Sequence, residues 1–377
     1  MKILKLFKLF NLIHAYIDLL LARSKPTAFP VELSVGTTSY CNLRCIQCPR
    51  EGHDGNLLPY NEKLELDYYQ TLEPLLKRAK DVSLYGLGEP MIDPNYIDKV
   101  NYVTSFGADV SLSTNGTLMD EKRCRELIES GVKSVGISLD AARPDTFDVV
   151  RPPGGLPRVI ENIKCLTRLK KEMGSTLPML RLSYGIMPQN LEELPEFPDI
   201  AKETGCEEII VHPVIFMSAR KRNELWVDKE DMKRPVELAR QRAEQHGIPF
   251  YFWDLDTLSF LKAVQYVNEQ RGLVTKHECT CKHNTKPHFC FFLWRNAMIQ
   301  GEGDLFPCCY ITNIHLGRLD NPHSTEWRSH PFVTDMRRRL FEGDIPEPCV
   351  HCPQLQEFDR AVIVKSAYQE IRNFIRR

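Results

Sequence analysis

Cys41-Asn-Leu-Arg-Cys45-Ile-Gln-Cys48 places three thiols in one short stretch, a few residues beyond the apolar run at 31–36. A ligand-bearing loop at the end of a strand is how an α/β barrel builds its site. The chain beyond the third thiol decides whether such a barrel exists. Short apolar or β-branched runs recur at 81–85, 109–113, 134–139, 179–184 and 208–211, and polar stretches of helical character separate them. That alternation specifies a parallel sheet. The unit at 121–130 is representative, a charged helix stopped by Gly131 and joined to the next strand by a short turn. Six such units are two short of a full barrel. The expected fold class is α/β, a partial (β/α)6 TIM-like barrel spanning 30–216.

Composition bounds the rest. A chain of 377 residues with 42% hydrophobic content has apolar surface for a large core and a small second domain. Its net charge of -1 gives no global field for nucleic acid, and no nucleic-acid partner is expected. Thirteen cysteines, an odd number in a long chain, argue against a secreted disulfide framework and for thiolate ligands to metal in a reducing compartment. Within 1–29, Lys2, Lys5 and Lys8 interrupt the apolar residues before they could span a bilayer, and Arg23, Ser24 and Lys25 lead into Pro26 without a small-residue cleavage site. A cytoplasmic location is the resulting expectation. The alternation is expected to fail over 217–278, a charge-rich bridging segment with an aromatic patch at Phe250, Tyr251, Phe252 and Trp253. Residues 279–354 gather seven thiols in a loop-rich α+β segment with too little core to hold itself without metal, and 355–377 reads as a helix packing back on the body.

A cubane iron-sulfur cluster needs four ligands, so Cys41, Cys45 and Cys48 leave one iron open, the mark of a catalytic rather than a structural metal. A zinc knuckle with a remote fourth ligand is the bland alternative. Further motifs stand at successive strand ends: Tyr85-Gly86-Leu87-Gly88-Glu89-Pro90, Ser113-Thr114-Asn115-Gly116, and Gly136-Ile137-Ser138-Leu139-Asp140. Taken singly, Gly86 with Gly88, or Asn115 with Gly116, are ordinary turn residues. Together, in this order after a three-thiol loop, they resemble the radical SAM superfamily over residues 31 to about 215.

The resemblance implies a [4Fe-4S] cluster on Cys41, Cys45 and Cys48, with an open iron that binds S-adenosylmethionine (SAM). It also implies reductive cleavage of SAM to a 5'-deoxyadenosyl radical that abstracts hydrogen from a substrate. Gly86, Gly88 and Glu89 then meet the methionine amino group, and Ser113, Asn115, Ser138 and Asp140 contact ribose and methionine. Arg151 is a further candidate for the methionine carboxylate. The chain departs from the family pattern at one position: the residue before the third cysteine, usually aromatic in this superfamily, is Gln47.

The second group comprises Cys290, then Gly303-Asp304-Leu305-Phe306-Pro307-Cys308-Cys309, then Cys349-Val350-His351-Cys352. It resembles a SPASM domain in its shortened twitch form, which implies one auxiliary [4Fe-4S] cluster on Cys290, Cys308, Cys349 and Cys352. No cysteine lies beyond Cys352 to build a second. Structural zinc suits the same thiols, and Cys309 competes with Cys308 as ligand. Cys279 and Cys281 fit no cluster pattern and are read as a hydrogen-atom donor or as thiols of no consequence. Cys124, Cys165 and Cys206 read as packing. His212 faces a substrate or is a satisfied core histidine.

Apolar residues at helical spacing among lysines suit residues 3–21 either to a membrane interface, with peripheral contact at the inner face, or to docking on the open barrel. Arg337, Arg338 and Arg339 read as a phosphate-steering cluster or a solvated helix face. The leading expectation is an oxidoreductase or epimerase acting on a sugar, cyclitol or lipid-linked substrate, supplied with electrons by flavodoxin or ferredoxin. Twitch-bearing aminocyclitol dehydrogenases, with similar cysteine spacing, motivate the redox version. Peptide maturation is a second enzyme reading, and a zinc-binding scaffold a third of another class.

Overall fold

The computed structural model describes residues 2–48, 50, 63–214, 224–253, 286–308, 315–319, 321–323, 326–346, 349, 352 and 355–376. The six expected strands form where alternating apolar residues place them: β1 (Glu32–Val35), β2 (Asp81–Leu84), β3 (Asp109–Thr114), β4 (Ser134–Ser138), β5 (Met179–Ile186) and β6 (Glu208–Pro213). The helices between them are cut by local chemistry. Glu121–Glu129, for example, starts where the Asp120 side chain accepts from the Arg123 amide and stops ahead of Gly131, whose φ of 69° suits glycine.

β1 to β6 pair in sequence order, all parallel. Their two faces differ in chemistry. Val82, Val110, Val135, Ile137, Leu180, Leu182 and Ile209 are fully enclosed in one core with Val103, Leu127, Ile163 and Leu166 of the surrounding helices. The alternate positions, among them Ser34, Ser83, Ser111, Ser113, Ser138 and Ser183, fall in register on the opposite, inner face of the partial barrel. Strands of a parallel sheet usually read as unbroken apolar runs because both faces are covered. Here most of the alternate residues are polar, Gly136, Met179, Gly185 and Ile210 excepted, and Ser83, Ser111, Ser138 and Ser183 are only half-buried, so among the described residues the inner face is a lined hollow.

Two expectations are corrected. The segment 217–278 does not simply break the alternation: a helix at Lys229–Gln245 is followed by β7 (Phe250–Phe252), parallel to β6, so the aromatic patch is a seventh barrel strand. The cysteine-rich region likewise joins the barrel instead of standing beside it. After β8 (His288–Cys290) and a short helix (Phe291–Arg295), β9 (Asn296–Gln300) pairs parallel with β1, and β10 (Asp304–Phe306) runs antiparallel to β9. Among the described residues the main sheet thus has nine strands in the order β10-β9-β1-β2-β3-β4-β5-β6-β7. β8 pairs separately with β11 (Leu355–Glu357).

The N-terminal helix (Lys2–Leu20) docks at the N-terminal ends of the strands. Lys8 donates to the carbonyls of Leu76, at 3.0 Å, and Ala79, and Asn11 donates at 3.2 Å to those of Phe29 and Pro30. The C-terminal helix (Arg360–Arg376) lies against it. Glu370 accepts from Tyr16 at 2.7 Å and from Arg295 at 2.9 and 3.0 Å. Among the described residues no helix is long and apolar enough to cross a membrane.

Candidate functional site

Cys41, Cys45 and Cys48 sit on the loop after β1, close enough that each thiol's charge bears on its neighbours, and burial pushes Cys45 up to about 11. The loop is held from three sides. The amides of Gly88 and Glu89 donate to the carbonyls of Thr38 and Tyr40 at 3.0 and 2.7 Å. A side chain at Gly88 would put its Cβ 2.1 Å from the Tyr40 oxygen, and one at Gly86 would lie 2.7 Å from the Thr38 oxygen, so both glycines are required for this loop-on-loop contact. The buried Glu89 carboxylate accepts from the Asn115 amide at 2.6 Å, the Thr114 hydroxyl at 2.7 Å and the Met91 amide at 3.2 Å. Asn115 in turn donates to Asn42 at 3.0 Å and approaches the Cys41 sulfur at 3.9 Å.

On the third side the loop amides of Arg44 and Ile46 donate to the carbonyls of Pro152 and Val150 at 2.8 and 3.1 Å. Between these two bonds Arg151 reaches the Cys45 sulfur at 3.7 Å while pairing with Asp140. Asp140, at a φ of 56°, also accepts from the Gly185 amide at 2.6 Å and from Gln47 at 2.5 Å. Sequence reasoning assigns Glu89, Asn115, Asp140 and Arg151 to SAM. In the structure these residues help to brace the cysteine loop, and Gln47 is tied to Asp140 where an aromatic ring usually stands. Ser113 and Ser138 lie on the inner face.

His212, at the end of β6, lies on that same face. Its Nε2 is 3.4 Å from the Ser183 hydroxyl, its Nδ1 is 2.9 Å from the Pro213 carbonyl, and its ring stacks on Trp253 with centroids 6.5 Å apart. Sequence reasoning misses Ser183 and Trp253. The available signal is the period-two serines, once they are read as lining a hollow.

The second group is assembled from distant segments. Cys290 ends β8, and Cys349 and Cys352 bear on it electrostatically from a turn closed by the Cys352 amide donating to the Cys349 carbonyl at 3.1 Å. Burial pushes Cys290 up to about 12. Cys308 is half-buried beyond β10, whereas Cys279, Cys281 and Cys309 lie outside the described residues. Arg337, expected in a solvated or phosphate-steering cluster, is buried: it donates to the Leu293 carbonyl at 2.6 and 3.0 Å and to the Ser24 carbonyl at 3.1 Å. Arg338 and Arg339 pair with Asp335 and Glu342, and with Asp344. Cys124 and Cys206 are buried in packing.

Residues 35–197 match the family model described as the radical SAM superfamily, and residues 290–353 match SPASM, an iron-sulfur cluster-binding domain. The chain carries a radical SAM domain followed by a SPASM domain. A relative from Pyrococcus furiosus, a tungsten-containing aldehyde ferredoxin oxidoreductase cofactor-modifying protein, is 29% identical over 72% of this chain and 68% of its own. The AdoMet-dependent heme synthase of Methanosarcina barkeri is 23% identical over 80% and 82%. Among solved structures, Streptococcus suis SuiB bound to precursor peptide SuiA shares the fold with a TM-score of 0.61 at 16% identity, over 82% of this chain and 67% of that one.

A radical SAM domain implies a [4Fe-4S] cluster and SAM, and SPASM implies an auxiliary iron-sulfur cluster. The residues of this radical SAM enzyme fit both. Three thiols converge on a loop braced on three sides, and around them Thr37 Oγ1, Gln47 Oε1 and Arg50 Nε are buried with no partner among the described residues. Unmet buried donors and acceptors are costly unless something fills the space between them. At the second group the buried Cys290 and Cys349 and the half-buried Cys352 are close enough to bear on one another, a donor set of soft thiols suited to iron.

Proposed function

We propose that this radical SAM enzyme oxidises a hydroxyl-bearing sugar or cyclitol, free or lipid-linked, held in the polar hollow between its two thiol groups. The observation that carries the reading is the inner face itself: Ser138 and Ser183 in register, Ser113 on the same face, and His212 and Trp253 at its rim. Such a wall offers hydrogen bonds to hydroxyls, and an exposed indole offers a face for a sugar ring to stack on. When loaded, Cys41, Cys45 and Cys48 hold a cluster that with SAM supplies hydrogen-atom abstraction, and Cys290, Cys308, Cys349 and Cys352 hold one auxiliary cluster that supplies an electron acceptor.

The chain's own residues do the rest. Ser113 and Ser138 orient SAM and substrate against each other. His212, held by the Pro213 carbonyl through Nδ1, presents Nε2 to take the substrate hydroxyl proton as the carbon is oxidised. The barrel wall keeps water from the radical.

The test is anaerobic reconstitution followed by reduction with SAM in the presence of sugars, cyclitols or peptides. About eight irons per chain, with 5'-deoxyadenosine formed faster with sugars or cyclitols and matched by an oxidised product, support the proposal. Stimulation by a peptide alone would replace it with peptide maturation, and incorporation of solvent hydrogen without net oxidation would replace it with epimerisation.

A further inference from the structure

We propose that the paired N- and C-terminal helices form a docking face for an anionic lipid surface, at the end of the barrel opposite the SAM site. The N-terminal helix is apolar on two sides. One side, with Leu12, Ala15, Tyr16 and Leu19, is buried against the barrel base. The other exposes Ile3 at 70%, Phe10 at 61% and Leu21 at 57%, together with Leu6, Phe7 and Ile17. Positions 3, 7, 10 and 17 keep helical spacing along one side, with His14 between the last two. A surface helix of a globular protein carries polar residues on its outer side; a helix apolar on both sides is built to be covered on both.

The charge around that side says what covers it. The N-terminal helix has one acidic residue, Asp18, buried and accepting from the Thr27 and Ala28 amides. The C-terminal helix also has one, Glu370, engaged by Arg295, Tyr16 and Lys80. The pair presents basic groups outward: Lys2, Lys5, Arg360, Lys365, Arg372 and Arg376 are all exposed. The helices are clamped together, Lys5 donating to the Ile375 carbonyl at 3.3 Å, and the second adds exposed Val362, Val364, Tyr368 and Ile375. Exposed apolar side chains and six exposed cations on the same two helices, with no exposed acid on either helix, match acyl chains beneath anionic headgroups. A second copy of the same face would bring six cations against six.

Orientation has a consequence. Lys8 and Asn11 fix the helix to carbonyls just ahead of β2 and β1, whereas the three thiols lie beyond the C-terminal end of β1. The bilayer would therefore meet the base of the barrel and leave its mouth turned to water. Substrate enters from the aqueous side even when the enzyme is bound to membrane.

Vesicle sedimentation of the full, reconstituted chain tests this independently of catalysis. Binding to mixed phosphatidylcholine–phosphatidylglycerol vesicles is expected to exceed that to phosphatidylcholine alone and to fall with salt. Phe7→Ser with Phe10→Ser, and separately Arg372→Gln with Arg376→Gln, should each weaken it about tenfold or more. All four side chains are exposed, so thermal melts of both variants should match the parent, which separates lost binding from lost folding. No preference for anionic vesicles overturns the proposal. So does a dimer, seen by light scattering, that the phenylalanine substitutions abolish, because the occupant would then be a second copy.

Discussion

The loop of Cys41, Cys45 and Cys48 draws its thiols from eight consecutive residues and is braced by backbone bonds to Gly88, Glu89, Val150 and Pro152, whereas the second group brings Cys290 together with Cys349 and Cys352 from some sixty residues along the chain. In the first arrangement the barrel itself offsets the entropy of ordering the loop. The second closes long stretches of chain, and less secondary structure surrounds it. The two clusters therefore play different structural parts. One is set into a fold that exists without it, and the other is expected to complete the fold around it.

The sharpest way to break this contrast is to remove one ligand from each group. Cys45→Ser should abolish 5'-deoxyadenosine formation while hydrogen exchange in β1 to β6 stays at parent level. Cys349→Ser should instead expose the amides of β8, β10 and β11 to rapid exchange. Equal loss of protection in the barrel and the C-terminal region would remove the distinction. Next in size is the brace itself. Asp140→Ala leaves Arg151 buried without its carboxylate, and a cost of about 3 kcal/mol is expected in denaturant unfolding. Iron bound at the first group should fall while the auxiliary cluster's spectrum is retained.

His212→Gln should slow substrate-coupled turnover by about a hundredfold and flatten its pH profile, with the melting temperature unchanged. The smallest effect concerns the terminal helices. Burial pushes Glu370 upward, but Arg295, Tyr16 and Lys80 outweigh it and hold the carboxyl at about 2, against an ordinary 4.5. A carboxyl depressed in the folded state contributes its stability above the unfolded pKa and loses it as pH falls through the folded one. Acid titration should accordingly release the C-terminal helix between pH 4.5 and about 2, measured by helix-specific hydrogen exchange, and Glu370→Gln should remove that step.

Much of the fold is legible because it is repetitive. Alternating runs announce β1 to β6, and three clustered thiols announce the site at their C-terminal ends. β7 escapes because Phe250–Phe252 is three residues of unpatterned aromatics behind Pro249, and only pairing with β6 makes it a strand. β9 escapes because its neighbourhood reads as loop, and only the open edge of β1 gives it a partner. The N-terminal helix docks on the body, but beneath the strand ends and not along the open edge, which β9 covers.

Ligand types, strand rhythm and the glycines at 86 and 88 are written in the chain, because spacing and side-chain chemistry are local properties. Which polar residues brace and which line is settled only once the chain has folded. Asp140 and Arg151 carry groups fit to bind SAM, and nothing in the sequence announces that they also pair with each other beside Cys45. Folding brings Cys45, Gln47 and the Gly185 amide to the same carboxylate–guanidinium pair, and a buried charge must be satisfied by whatever the fold places beside it.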